Sequence, residues 1–239
     1  MSFPRLPRNA ALFLDFDGTL VDIAPTPEAI VVDPALPDLV DRLGERLAGA
    51  LAVVSGRAIA DLDRHLAPAR FRAGGLHGLE WRERVEGRIV QSPAPLSLQA
   101  FRARLLASGL AGDGVAVEDK GVAIAIHYRA APGRGPQVLA AVRSWLAGVD
   151  DLVLIDGKMV AEVKPRAASK GTVVDRFLSL PDFEGRIPVF VGDDRTDEDG
   201  IAAAARAGGF GVKVGEGDTG ASYRVAGVDD VHAWLHSLL

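Results

Sequence analysis

The chain has no cysteine, which excludes disulfides and thiolate chemistry and leaves the redox compartment unreadable from this residue type. It has no apolar run of the length that crosses a membrane or forms a secretory h-region. The stretch nearest the N-terminus, Ala10 to Leu14, is short and ends in acids. Positive charge is not in excess either: 27 Lys and Arg against 32 Asp and Glu give a formal net charge of -5. Nothing therefore draws the chain generally to nucleic acid or to an anionic membrane, and a phosphorylated ligand needs cations placed locally. Internal repeats, low-complexity tracts and long linkers are missing as well. We expect a cytoplasmic monomer that engages neither nucleic acid nor membrane. What is present is 239 residues of 48% hydrophobic composition, enough to bury a full core with a smaller domain inserted into it.

Apolar strand-like runs alternate with amphipathic helical stretches, the pattern of an α/β protein whose parallel sheet is covered on both faces. A first strand leads to Asp15. A helix is predicted from Asp33-Pro34, with Asp33 as N-cap and Pro34 as first helical residue, running past Leu43 and Leu47. Leu51 to Val54 reads as the next strand, residues 58 to 66 as a helix, and Phe71 to Glu80 as a return to the sheet. Pro93 and Pro95 mark a boundary. From residue 94 to 164 the order becomes helix, strand, strand, helix, strand, strand, which predicts an inserted α+β module between core segments 1–93 and 165–239. Within it Val122, Ile124, Ile126 and Tyr128 alternate with Ala123, Ala125, His127 and Arg129 as in a half-buried antiparallel strand, and Asp156-Gly157 signals a tight hairpin. Beyond Pro165 the parallel pattern resumes: Ser169 can cap a helix, Ile187 to Val191 is a strand, and Thr196 to Asp199 fits a capping box.

Candidate chemistry gathers at strand ends. Asp15 and Asp17 stand at i and i+2 where the first strand stops at Gly18, so both carboxylates lie at the carboxyl edge of the sheet, where open α/β sheets hold ligands. Two acids so close repel unless a cation is present or one is protonated, and metal-assisted phosphoryl transfer meets both needs. Ser55, after the run LAVV, offers a hydroxyl and an amide to a phosphoryl oxygen, and Gly56 lets backbone approach closely. Ser-Gly-Arg is also an ordinary turn; Arg57 either orients the Ser55 loop or pairs with an acid. Lys170, at a helix start, supplies a fixed cation to the same oxygens, although a lone lysine there is commonly just solvated. Gly192-Asp193-Asp194-Arg195-Thr196-Asp197-Glu198-Asp199 follows the strand IPVFV. Acids favour a helix's first turn, which accounts for Asp197, Glu198 and Asp199. It does not account for Asp193-Asp194 at a second acidic strand end, where Asp193 is the best candidate Mg²⁺ ligand with Asp194 or Asp197 in support. In the inserted module Glu118 and Lys120, if on one strand, face one way, and Glu162 ends a later strand. Such groups suit sugar hydroxyls or form a solvated sheet face.

The Asp15-Phe16-Asp17-Gly18-Thr19 segment resembles the DxDGT signature of the haloacid dehalogenase superfamily. DFDGTL, SGR, GLHGLE, VEDKG with HYR, the stretch from Glu162 to Lys170, and GDDRTDED together resemble, in order and approximate spacing over nearly the whole chain, the trehalose-6-phosphate phosphatases. The resemblance implies a Rossmann-like core with a mobile C2B-type cap, Asp15 as nucleophile and Asp17 as general acid and base. It further implies Ser55 and Lys170 on the phosphoryl oxygens, with Mg²⁺ on an Asp15 carboxylate oxygen, the Asp17 carbonyl and Asp193. Glu118, Lys120 and Glu162 would recognise the trehalose hydroxyls, and Gly56 and Arg57 join the substrate-binding candidates. His77-Gly78 lies near the implied hinge and is left out of the catalytic set. Val21-Asp22 departs mildly from the family, where a proline is frequent nearby; no proposed chemistry depends on it. The implied substrate is a phosphorylated disaccharide. Another capped sugar-phosphate phosphatase, acting on sucrose phosphate or mannosylphosphoglycerate, stays open, as does a non-catalytic phosphosugar-binding regulatory domain.

Overall fold

The computed structural model describes residues 4–24 and 29–239, which divide into two compact units, residues up to 90 together with 169–239, and residues 91–168. The first unit is built on β1, Ala10–Leu14, every residue of which is buried. A strand buried on both faces has no polar side to alternate with, which is why AALFL reads as an unbroken apolar run. It pairs in parallel with β2 (Leu51–Val54) on one side and, across the chain, with β10 (Ile187–Gly192) on the other. Beyond these lie β3 (Arg72–Gly75), β4 (Glu80–Arg82) and β5 (Val90–Gln91) at one edge, and β11 (Phe210–Val214) and β12 (Tyr223–Val225) at the other. The order is β12-β11-β10-β1-β2-β3-β4-β5, with β12 through β3 parallel and β4 antiparallel to β3.

Helices α1 (Leu36–Arg46), α2 (Ile59–Leu66), α5 (Lys170–Leu178), α6 (Asp197–Arg206) and α7 (Val228–Ser237) cover this sheet. In α1 the buried residues Leu36, Leu39, Val40 and Leu43 recur at helical spacing, so one stripe enters the core. Helix α1 starts later than the sequence suggests. Asp33 does not cap it; its carboxylate accepts from the Ala35 amide at 2.8 Å, closing a turn that precedes the helix and leaves Pro37 within its first turn. Ser169 does cap α5, reciprocally with Thr172. The expected capping box at α6 is absent: Thr196 donates its hydroxyl to Asp194 Oδ1 at 2.8 Å, and that same oxygen accepts the Thr196 and Asp197 amides. Asp194 thus takes the capping role because its carboxylate reaches the amides two and three residues on.

The second unit runs α3 (Leu96–Ala107), β6 (Ala116–Asp119), β7 (Ile124–His127), α4 (Gly135–Leu146), β8 (Leu152–Gly157) and β9 (Val160–Pro165), the order read from the sequence. Its antiparallel sheet has the order β6-β7-β9-β8. Ile124, Ile126, Ala161, Val163 and Leu152 join Leu98, Phe101, Val138 and Val142 of the two helices in a separate core. Two expectations need correction. β7 is not half-buried, because Ala123 and Ala125 are as inaccessible as Ile124 and Ile126. In the β8–β9 hairpin Gly157 pairs with Val160, so Asp156 and Gly157 end the strand and Lys158-Met159 make the turn, with Met159 at φ +63°.

Candidate active site

Because β1, β2, β10 and β11 run parallel, their carboxyl ends open on one edge, and α5 and α6 begin there. Leu14 pairs with Val191, so Asp15 leaves the sheet beside Gly192, its amide still donating to the Val191 carbonyl at 3.0 Å. Asp15 is buried, and so is Lys170 at the first position of α5. Lys170 Nζ donates to Asp15 Oδ1 at 2.6 Å and to Asp197 Oδ1 at 2.7 Å. Burial drives the Asp15 carboxyl up to about 7, more than the Lys170 ammonium pulls it back, while Asp193 and Asp194 push the same way. The lysine is held protonated well above its ordinary range: burial opposes its charge, and Asp15 and Asp197 override it.

Asp197 is fully buried, so it is not one of the solvated first-turn acids that the sequence pattern suggests. Its other oxygen accepts the amides of Asp193 at 3.1 Å and Asp194 at 3.0 Å. Both oxygens are therefore committed, and Asp197 shapes the acidic loop and anchors Lys170. Burial and the neighbouring Asp15 raise its pKa well above the usual carboxylate range. Asp194 goes the other way, to about 2: desolvation pushes it up, and Lys170 with the donors from Thr196 and Asp197 outweigh that.

Among the described residues, Asp15, Asp193 and Asp197 form a group whose carboxylate oxygens lie within 4.8 Å of one another. Asp193 differs from the other two in that Oδ1 is buried with no hydrogen-bond partner among the described residues. Burial, then Asp197 and Asp194, raise its carboxyl to about 6. Gly18, at φ +79°, lies against that carboxylate, and a Cβ there would overlap it. An orphaned carboxylate oxygen of Asp193 beside the Asp15 carboxylate fits a hard divalent cation.

Asp17 has a cation of its own. Arg57 Nε donates to its Oδ2 and Nη2 to its Oδ1, both at 2.7 Å, and Nη1 donates to Asp61 at 2.8 Å. This bidentate geometry raises the already high pKa of Arg57 against the cost of burial, and its guanidinium lies 5.7 Å from the Phe16 ring centroid. The two motif acids are thus divided between two cations, Lys170 for Asp15 and Arg57 for Asp17. Ser55, buried at the end of β2, donates its amide to the Gly74 carbonyl at 2.8 Å, and its Oγ accepts the Arg57 amide at 3.1 Å. Arg57 therefore does both things the sequence leaves open: it closes the Ser55 loop and pairs with acids. Gly56 is required by a neighbour, since a Cβ there would come within 2.6 Å of His77 Nε2.

The remaining candidates lie in the second unit. Glu118 pairs across the sheet with Ala125, and Ala125 with Glu162, so the two glutamates share one face, opposite the apolar face packed on α3 and α4. Lys120 lies just past β6 and reaches Glu162 Oε1 at 3.3 Å; His127 Nε2 is 3.0 Å from Glu118 Oε2. That bond to His127, reinforced by the Lys120 charge, lowers the Glu118 pKa below its usual range.

Lys213 went unread in the sequence. It is a buried lysine on β11 whose ammonium bonds the Asp193 carbonyl oxygen. Its signal was the charge in the middle of FGVKV, since a lysine inside a parallel strand must find a partner. Glu80 was missed as a support: it is buried, and its Oε1 accepts the Ile59 amide that opens α2.

The parallel-sheet fold that carries these acids and cations is shared with a solved haloacid dehalogenase-like hydrolase from B. subtilis, which matches 96% of this chain and 98% of its own at a TM-score of 0.68 and 17% identity. The C-terminal domain of a trehalose-6-phosphate phosphatase from C. albicans has the same fold, at a TM-score of 0.80 and 22% identity over 97% of this chain and 92% of that one. The family model described as Trehalose-phosphatase matches residues 13–229. A trehalose-6-phosphate phosphatase from Escherichia coli is 39% identical over 98% of this chain and 88% of its own. A probable trehalose-phosphate phosphatase from Sinorhizobium fredii is 42% identical over 87% and 78%. The chain belongs to the trehalose-phosphatase family, whose members are phosphoric monoester hydrolases.

Proposed function

We propose that this enzyme hydrolyses trehalose 6-phosphate to trehalose and phosphate with Mg²⁺, through a phosphoryl group carried on Asp15. The observation that carries the reading is the buried Asp15, fixed by Lys170 at 2.6 Å beside the unpartnered Asp193 Oδ1. A nucleophile, its cation and a vacant oxygen acceptor at one sheet edge exceed what a binding domain needs. An Asp15 oxygen attacks phosphorus as the bond from phosphorus to the sugar oxygen breaks, and Asp17, once protonated, gives that oxygen its proton. Asp17 then takes a proton from water, which attacks phosphorus and frees phosphate and the Asp15 carboxylate. Lys170 and the Ser55 hydroxyl hold the equatorial oxygens; the Ser55 amide, a candidate donor by sequence, is taken by the Gly74 carbonyl. Asp15, the Asp17 carbonyl and Asp193 would hold Mg²⁺, which when bound neutralises charge between the phosphoryl oxygens and these acids. Asp197 and Asp194 support that set through the loop. Arg57, clamped on Asp17, sets where its carboxylate stands, and the Gly56 backbone lies beside the Ser55 hydroxyl.

Residues 94–164 form the cap in this reading, with the core made of 1–93 and 165–239, and Glu118, Lys120 and Glu162 take the sugar hydroxyls. Phosphate release from trehalose 6-phosphate, sucrose 6-phosphate, glucose 6-phosphate and mannosyl-3-phosphoglycerate, with Mg²⁺ and with chelator, tests it. Trehalose 6-phosphate should lead in kcat/KM by at least about a hundredfold, as polar recognition of hydroxyls allows, and chelator should abolish all release. A different leading substrate would overturn the sugar assignment, and undiminished release in chelator would overturn the metal.

A further inference from the structure

Lys213 is on β11, one strand away from the acidic loop and outside every motif that carries the proposed chemistry. It is only 4% exposed, and its ammonium bonds the backbone carbonyl of Asp193. Burying an ammonium against a neutral carbonyl is a poor exchange for water unless the surroundings are negative, and the loop it enters bears Asp193, Asp194 and Asp197.

The geometry around Asp193 shows what this contact does. The amide of Asp193 donates to Asp197 Oδ2 at 3.1 Å, and its carbonyl accepts from Lys213. Both main-chain groups of this one residue are thus held by buried charged side chains from two different elements, α6 and β11. Gly18 packs against the carboxylate from a third side. With the backbone held through both amide and carbonyl and the side chain confined, Oδ1 is buried without a hydrogen-bond partner among the described residues. We propose that Lys213 is a positioning residue for the metal site: it locks the peptide after Asp193 so that the carboxylate points to the cation without rearrangement. The inference rests on the metal assignment above and adds to it a residue that touches neither metal nor substrate.

Substituting the residue separates positioning from mere packing. Lys213→Met keeps the apolar stem and removes the donor; Lys213→Arg keeps charge and donor; Lys213→Gln keeps a shorter donor without charge. Mg²⁺ is titrated into each metal-free protein by calorimetry, and unfolding of the metal-free proteins is followed in parallel. Lys213→Met should weaken Mg²⁺ about tenfold, in the range found when groups that orient metal ligands are removed, with Lys213→Arg recovering part of the loss. At saturating Mg²⁺ its KM for the sugar phosphate should match wild type. If Lys213→Met does not fold, Lys213→Gln takes its place, with a several-fold weakening expected. A fall in metal-free stability with unchanged Mg²⁺ affinity would make Lys213 a packing residue and overturn the proposal. Failure of the wild-type protein to bind Mg²⁺ would instead overturn the metal assignment, and this inference with it.

Discussion

Asp15, buried and bonded by the Lys170 ammonium at 2.6 Å, is the residue on which the proposed chemistry turns. Asp15→Asn preserves shape and hydrogen-bonding capacity but removes the nucleophilic oxygen and a charged metal ligand. Phosphate release should fall by at least about a thousandfold while circular dichroism and the unfolding transition stay near wild type. The pH dependence follows from the same burial. In the metal-free fold the carboxyls of Asp15 and Asp193 rise to about 7 and about 6, so the folded state keeps protons that the unfolded chain has lost above its ordinary carboxylate range. Where the folded state binds more protons, stability falls as pH rises, here between about pH 4 and pH 7. Mg²⁺ needs both carboxylates ionised, so below about pH 6 to 7 its binding must first displace protons. The increase in Tm on adding Mg²⁺ should therefore be larger at pH 8 than at pH 5.5. An equal or reversed difference would remove these carboxylates from the metal site.

The loop from β10 into α6 shows how a segment that resembles an ordinary helix start becomes machinery. Its acids read as dipole-favoured first-turn residues, and for the exposed Asp199 that description stands, whereas Glu198 accepts the Gly220 amide at 2.9 Å. Asp197 departs from it because α6 begins directly beneath the sheet edge, which turns the carboxylate inward to Lys170 and to two amides of its own loop. Asp197→Ala should cost about 3 to 5 kcal/mol in urea-induced unfolding, the range for breaking a buried ion pair, whereas Asp199→Ala should lie within about 0.5 kcal/mol of wild type. Gly18→Ala belongs to the turn after β1: positive φ and overlap with the Asp193 carboxylate both oppose it. It should lower phosphate release and raise the Mg²⁺ concentration for half-maximal rate; wild-type behaviour in both would remove the turn from the site.

The polar sheet face of the second unit carries the prediction that bears on the substrate. Remote binding energy from sugar hydroxyls can be used to align a distant reacting centre, so its loss lowers kcat/KM only for a substrate that has those hydroxyls. Glu118→Ala, Lys120→Ala and Glu162→Ala should each reduce kcat/KM for trehalose 6-phosphate at least about tenfold more than for a small aryl phosphate. Comparable losses on both substrates would make the three residues structural, and losses on neither would remove them from substrate recognition. The same face explains a misread strand. Alternation in VAIAIHYR promises one wet side, yet Ala123 and Ala125 are inaccessible, and residue size along one strand does not say what covers it.

Local chemistry was enough to read the strand run into Asp15, the Ser55 and Asp193 strand ends, the Ser169 cap and the order of elements in the inserted module. Each depends on residues adjacent in the chain, and a resemblance across nearly its whole length added the roles. Partnership was decided by the fold. That Lys170 serves Asp15 and Asp197, that Arg57 divides itself between Asp17 and Asp61, and that Lys213 reaches the Asp193 carbonyl are contacts across 155, 40 and 20 residues for their longest or loop-closing members. The start of α1, the cap of α6 and the turn of the β8–β9 hairpin were displaced by side chains that found nearer amides or by register across a sheet. A sequence names the charges that must be buried together, and only packing elements against one another fixes which charge each of them meets, because burial makes an unpaired one too costly to keep.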